Sequence, residues 1–132
     1  MNKQITEDYV SYEIAKLLKE KGFDELCFAL YNPEEELIQC GVKLSNTQVG
    51  RVPGSYSAST HQMTLKWLRE VHDLHIIVYP WQADKEEKAI HWCCTVYKSF
   101  AHLGNDVYTN ETPKSYEEAV EAALKYTLEN LI

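Results

Sequence analysis

Apolar residues recur at helical spacing in three stretches of the chain, and a helix-capping residue precedes each stretch. The first helix is predicted from about Glu7 to Lys21, with Thr6 as its N-cap. Gly22 is expected to end it in a left-handed conformation, so that Phe23 packs back on the last turn. The apolar stripe of this helix comprises Val10, Ile14, Leu17 and Leu18.

Two further helices follow from the same pattern. Ser59 or Thr60 is predicted to cap a helix that runs through about His72. Its expected buried stripe comprises Met63, Trp67, Leu68 and Val71. Ser115 and Glu118 form a capping box that opens the last helix. The stripe of that helix comprises Ala119, Val120, Ala123, Leu124, Leu128 and Leu131.

Alternating and continuous apolar runs predict the strands. Residues 26–31 form one strand, with Leu26, Phe28 and Leu30 expected on one face. A turn at 32–36 leads to a return strand at 37–44, in which Gly41 suggests a bulge. The run at 74–79 is apolar on both faces, as in a central strand, and Pro80 is expected to stop it.

Residues 89–98 predict a longer strand, and a short one is expected around 107–109 after a turn at 104–106. The order is α-β-β-α-β-β(-β)-α. The fold class predicted is α+β, with a single four- or five-stranded, largely antiparallel sheet and three helices that cover mainly one face. A chain of 132 residues is typical of a single domain, here 1–132.

Composition narrows the class of protein. The chain has 45% apolar and 25% charged residues, which is ordinary for a globular domain. No apolar run approaches the roughly 20 residues that cross a bilayer, and the first residues contain no apolar signal region. We therefore expect a cytoplasmic protein without membrane association. The four cysteines form no Cys-x-x-Cys pair and are expected to be reduced thiols.

The net charge of −7 is unevenly distributed. Only residues 45–80 are not acidic, with three basic side chains against two acidic ones. An acidic surface repels phosphate backbones and therefore disfavours nucleic acid as a partner. The long loop at 45–60 leads into a helix N-terminus, where amide groups attract anions. The predicted ligand-binding residues are Arg51, Ser55, Ser57, Ser59 and Thr60; the alternative is that this loop is only a connector.

Aromatic residues offer a second surface. Trp67 and Trp92 lie on predicted core faces, whereas Trp81 follows a proline in a predicted loop. Tyr79, Trp81 and Gln82 are therefore predicted to form a patch that binds a protein partner.

No motif of a known chemistry is present, which favours a non-enzymatic protein without cofactor or metal. His91 and Cys93 share one strand face and are compatible with two metal ligands, but a zinc site needs another ligand, such as Cys40 or His75. The same pair is compatible with a base and a nucleophile. The simpler alternative is a half-buried polar strand face.

The run Met63-Thr64-Leu65-Lys66-Trp67-Leu68-Arg69-Glu70-Val71-His72 and the ending from Ser115 to Leu124 resemble small proteins of gut bacteria, their phages and their mobile elements. The resemblance implies an accessory role and carries no site residue. The leading hypothesis is an accessory protein that acts by protein–protein interaction. The alternative is a binder of a small anionic ligand or nucleotide at 45–60 and the helix N-terminus that follows. The oligomeric state is left open.

Overall fold

The computed structural model describes residues 4–82, 90–98 and 106–132, and the side chains of all of these except 106 and 107. The chain divides into two compact units, Met1–Thr64 and Leu65–Ile132. The elements in chain order are α1 Tyr12–Glu20, β1 Cys27–Tyr31, β2 Leu37–Leu44, α2 Asn46–Val49, β3 Tyr56–Ser57, α3 His61–His72, β4 Leu74–Trp81, β5 His91–Lys98, β6 Asp106–Asn110 and α4 Tyr116–Asn130. The α+β class is confirmed, and the single domain stays a prediction.

The prediction of one sheet is wrong. The first unit holds an antiparallel sheet in the order β2-β1-β3, and the second holds an antiparallel sheet in the order β4-β5-β6. Helix α2 and strand β3 also add two elements to the predicted order. Each sheet is built from strands of one half of the chain, because short connections favour pairing between neighbours in sequence. Periodicity alone carries no information on which strands pair.

Helix α1 begins five residues later than predicted, with Ser11 rather than Thr6 as its N-cap. The Ser11 hydroxyl accepts a hydrogen bond from the Ile14 amide at 3.3 Å. The residues before it are extended, since the Val10 amide donates to the Ser59 carbonyl at 2.9 Å. This pairing satisfies backbone groups that a longer helix would otherwise have used.

The end of α1 confirms the prediction from the sequence. Gly22 has φ of 89°, and the Phe23 amide donates to the Leu18 carbonyl at 2.9 Å. Phe23 is buried, as are Val10, Ile14 and Leu18 of the apolar stripe. A left-handed glycine followed by an apolar residue thus ends this helix as such motifs usually do.

The inward face of β1 is the one opposite to Leu26, Phe28 and Leu30. Cys27 and Ala29 are buried, whereas Leu26 and Phe28 are 55% and 52% exposed. The buried face also presents Tyr31, whose ring lies edge-on to Tyr12 of α1 at 5.6 Å between centroids. Leu26 and Phe28 therefore face outward, although both side chains are larger than those of Cys27 and Ala29.

Strand β2 has the predicted bounds, and its pairing with β1 is irregular between Gln39 and Leu44, the stretch that contains Gly41. The turn before it also follows the prediction. The Asn32 side-chain oxygen accepts hydrogen bonds from the amides of Glu34 and Glu36 at 3.0 and 2.9 Å. An asparagine that binds the following backbone in this way is typical of a turn.

In the second unit, β5 is the central strand and β4 lies at an edge, contrary to the prediction for 74–79. Strand β4 continues through Pro80 to Trp81, with Pro80 opposite Trp92. Proline is tolerated at this position because an edge strand has one side that needs no ladder hydrogen bond. The predicted turn at 104–106 lies largely outside the described residues.

Helix α4 packs on one face of this sheet. Ser115 caps it as predicted, and its hydroxyl accepts a hydrogen bond from the Glu118 amide at 3.1 Å. The ring of Tyr126 stacks on Tyr108 of β6 at 4.0 Å between centroids. The fully buried apolar residues of the helix are Ala119, Val120, Ala123, Leu124 and Leu128.

Helix α3 has the predicted extent, but its stripe is only half buried. Thr60 is the capping residue, since its hydroxyl accepts from the Met63 amide at 3.2 Å. Trp67 and Leu68 are buried as predicted, whereas Met63 and Val71 are exposed. Two of the four predicted core residues of this helix therefore remain available at the surface.

We predict that Trp67→Ala lowers the free energy of unfolding by roughly 3–5 kcal/mol, because it replaces a buried indole by a cavity. Chemical denaturation followed by circular dichroism measures the change. Lys66→Ala, at an exposed neighbouring position of the same helix, is the control and should change stability little. An unaltered unfolding midpoint for Trp67→Ala would contradict the burial of this ring.

Candidate functional site

The segment 45–60 is folded rather than an open loop, which corrects the view of it as structureless. Helix α2 and strand β3 lie within it. Asn46 is buried and connects two segments, since its amide donates to the Phe23 carbonyl at 2.8 Å and its oxygen accepts from the Ser57 amide at 2.8 Å. One side chain thus satisfies a donor and an acceptor that would otherwise be buried unpaired.

The five predicted ligand residues do not form one site. Ser55 and Ser57 are buried within the fold, and Arg51 is exposed. Ser59 and Thr60 lie together at the start of α3, where both line a groove that Arg51 does not line. Of the five predicted residues, therefore, only Ser59 and Thr60 line this common groove.

The first amides of α3 are largely engaged within the protein. The His61 amide donates to the Asp8 carbonyl at 2.8 Å, and the Met63 amide donates to the Thr60 hydroxyl at 3.2 Å. Because these donors already have acceptors, the helix N-terminus alone has little capacity left to bind an anion. A ligand at this position must be held by side chains.

The groove beside α3 has a volume of about 150 Å³. The segment after β3 continues the pairing with β1, since the Ala58 amide donates to the Ala29 carbonyl at 2.9 Å. Phe28 therefore lies beside this segment on the outward face of the sheet. The groove is lined by Tyr9, Leu26, Cys27, Phe28, Lys43, Ala58, Ser59, Thr60 and Met63.

Lys43 supplies the positive charge of the groove. Its Nζ atom lies 5.1 Å from the centroid of the Phe28 ring, within the range of a cation–π contact. In the described part of the chain, no carboxylate forms an ion pair with Lys43. Sequence reasoning missed this lysine, because it comes from β2 and reaches the groove only through the pairing of the strands.

Burial raises the pKa of the Cys27 thiol to about 11, with a smaller upward contribution from the Glu25 carboxylate. The thiol is therefore neutral at physiological pH and lines the groove as a small apolar group. Cys40, the least buried of the four cysteines, lies outside the groove lining, and none of the four forms a disulfide.

The predicted partner patch of Tyr79, Trp81 and Gln82 lies in and just after β4 rather than in a loop. The Trp81 indole N–H donates to the Glu111 carbonyl at 3.2 Å, and its ring lies 5.6 Å from that of His91. Tyr79 is exposed, and a hydrogen bond with Cys93 raises its pKa, as does burial to a lesser extent. The Trp81 ring is thus held against the sheet.

His91 and Cys93 lie on the same face of β5, opposite Trp81 and Tyr79 respectively. Cys93 is buried, and its sulfur lies 4.0 Å from the Thr95 hydroxyl. Across the described ranges 4–82, 90–98 and 106–132, no cluster of three or more His, Cys, Asp or Glu residues is arranged to hold a metal ion. Within the described part of the second unit, His75 does not complete a ligand set with this pair.

Strand β2 presents a further surface that the sequence did not single out. It lies at the edge of its sheet and is exposed or half-exposed along all eight residues. Leu37, Ile38 and Val42 are exposed apolar residues of this strand, with Val42 63% accessible.

Comparison with known proteins gives no relative: no protein-family model, no curated protein sequence and no solved structure matches the chain. Among the described residues, every helix is too short or too polar to cross a bilayer.

We predict that Asn46→Ala lowers the free energy of unfolding by about 2–5 kcal/mol, because it leaves the Phe23 carbonyl and the Ser57 amide without their partner. Asn46→Asp retains an acceptor for Ser57 but no donor for Phe23. Denaturation curves should therefore place Asn46→Asp between the wild type and Asn46→Ala. Equal stability of all three proteins would rule out a structural role for this side chain.

Alkylation should distinguish Cys27, which is buried, from Cys40, which is partly exposed, by the rate at which each thiol is modified. Its pKa of about 11 gives roughly a fifty-fold smaller thiolate fraction at pH 9 than a thiol with the ordinary pKa of 9.0. In native protein treated with iodoacetamide, Cys40 should be modified well before Cys27, as peptide mass spectrometry can measure. Because the folded pKa is raised, the stabilising contribution of the protonated thiol is complete below pH 9 and declines as pH rises toward 11. Rapid modification of Cys27 at pH 9 would contradict this assignment.

Proposed function

We propose that this protein is a non-enzymatic accessory protein of the cytoplasm, and that it acts by binding another protein through the free edge of β2. The partner supplies an extended segment that pairs with β2 as an additional strand. Such strand addition draws affinity from main-chain hydrogen bonds and specificity from alternating side chains.

The observation that carries the proposal is the outer edge of β2, with which no strand of the described ranges pairs. Natural edge strands are usually short, charged, interrupted by proline or covered. Strand β2 has eight residues, contains no proline and has Lys43 as its only charge. By contrast, the edge strand β4 contains Pro80, and β3 has only two residues. Exposed Leu37, Ile38 and Val42 add apolar area that a partner strand can cover.

The hairpin identifies which groups face the open edge. The Asn32 amide donates to the Glu36 carbonyl, so these two residues form a hydrogen-bonded pair. Hydrogen-bonded and non-hydrogen-bonded pairs alternate along antiparallel strands. Leu37, opposite Tyr31, and Gln39, opposite Ala29, therefore direct their backbone N–H and C=O groups away from β1.

Gln39→Pro tests the proposal directly, because it removes an outward N–H without removing a hydrogen bond to β1. Gln39→Ala is the matched control, since it changes the side chain and keeps the N–H. We expect a partner captured from an extract of the source cell to bind the wild type and Gln39→Ala alike. Its affinity for Gln39→Pro should be at least about fivefold lower.

Circular dichroism and thermal melting first test whether Gln39→Pro remains folded, and binding is compared only after that. Tyr79→Ala, in the patch predicted from the sequence, is measured in parallel. If only Tyr79→Ala abolished binding of the partner, the interaction would have to involve β4, and the proposal for β2 would be overturned. A partner that binds all variants equally would exclude both edges.

A further inference from the structure

We propose that the groove beside α3 binds a small monocarboxylate that carries one aromatic ring. This site is separate from the open edge of β2, and it assigns a ligand class to the pocket formed by β1, Lys43 and the start of α3. The argument depends on the size of the groove, the nature of its walls and the position of its charge.

The size of the groove fits one ring. The volume of the groove is about 150 Å³. A protein cavity of about 150 Å³ is large enough to bind benzene. Pockets for drug-sized molecules and nucleotides are larger, roughly 300–1,000 Å³. The nucleotide expected as one alternative from the sequence is therefore too large to be enclosed here.

The walls are apolar side chains that are exposed in the free protein. Leu26, Phe28 and Met63 are 55%, 52% and 43% exposed, and all three border the same groove. Single exposed apolar residues are ordinary on a protein surface, but their convergence on one concavity is not. Phe28 contributes an aromatic ring to this lining, and Met63 contributes a thioether, a group that makes favourable contacts with aromatic rings.

The charge favours an anion with a single negative group. Among the described residues that line the groove, only Lys43 is charged at neutral pH, since the Cys27 thiol remains protonated. Arg51, the cation expected from the sequence, does not line the groove. A carboxylate on the ring would meet the Lys43 ammonium, whereas a polyphosphate would lack the further cations it requires.

One hydroxyl can complete the carboxylate site. The Thr60 oxygen accepts a hydrogen bond from the Met63 amide, which leaves the hydroxyl hydrogen to donate elsewhere. The Ser59 hydroxyl instead donates to the Thr60 carbonyl at 3.2 Å. Lys43 and Thr60 are therefore the two polar contacts that we assign to the carboxylate.

The probe for this site is 3-phenylpropionate, titrated into the ¹⁵N-labelled full chain and followed by amide chemical shifts. A ligand of this size is expected to bind with a Kd on the order of 1 mM. Shifts should cluster at residues 26–28 and 58–63. The matched probes 3-phenylpropan-1-ol and propionate lack the charge and the ring respectively, and both should bind at least about tenfold more weakly than 3-phenylpropionate.

Lys43→Gln should weaken 3-phenylpropionate about tenfold and leave 3-phenylpropan-1-ol unchanged, because only the carboxylate uses the ammonium. Lys16→Gln, on an exposed position of α1 outside the groove, is the control and should bind as the wild type does. The spectrum of each variant shows whether it is folded.

Three results would overturn the proposal: no shifts at residues 26–28 and 58–63 at millimolar probe, equal binding of the acid and the alcohol, or unchanged affinity in Lys43→Gln. None of these results depends on Gln39, so failure here is distinguishable from failure of strand addition at β2.

Discussion

The pairing of β1 on both of its edges is the constraint on which the first unit depends. Strand β1 lies between β2 and β3, and the Ala29 carbonyl accepts the Ala58 amide just beyond β3. This register decides that Cys27 and Ala29 face inward and that Phe28 faces outward, because a shift by one residue would exchange the two faces. The open edge of β2 and the groove beside α3 are both products of this one arrangement.

Features set by neighbouring residues could be predicted from the sequence. Gly22 ends α1 and Ser115 begins α4, because each acts through a hydrogen bond within a few positions of itself. The start of α1 could not be predicted in the same way. Thr6 and Ser11 are both competent caps, and the choice between them depends on the distant pairing of Val10 with Ser59.

Two features could not be predicted from local sequence patterns: which face of β1 is buried, and which residues line the groove. Alternation along β1 divides its residues between two faces, and hydrophobicity alone favours burial of the face with Leu26 and Phe28. The structure instead buries the face with Cys27 and Ala29, on which Tyr31 contacts Tyr12. Thr60 was predictable as a helix cap and hence as a candidate ligand residue. Lys43 was not, because it is 17 positions away and reaches the groove through sheet pairing.

The unguarded edge of β2 also bears on how the free protein behaves at high concentration. A strand that accepts a foreign segment presents the same backbone groups to a second copy of the chain, so the edge is equally a template for self-association. The net charge of −7 opposes such encounters through long-range repulsion, which dissolved salt screens within about 10 Å at 0.1 M. Colloidal stability of the chain is thus a balance between repulsion of the whole molecule and attraction at one strand, and a partner bound at β2 as proposed would shift this balance toward the dispersed state.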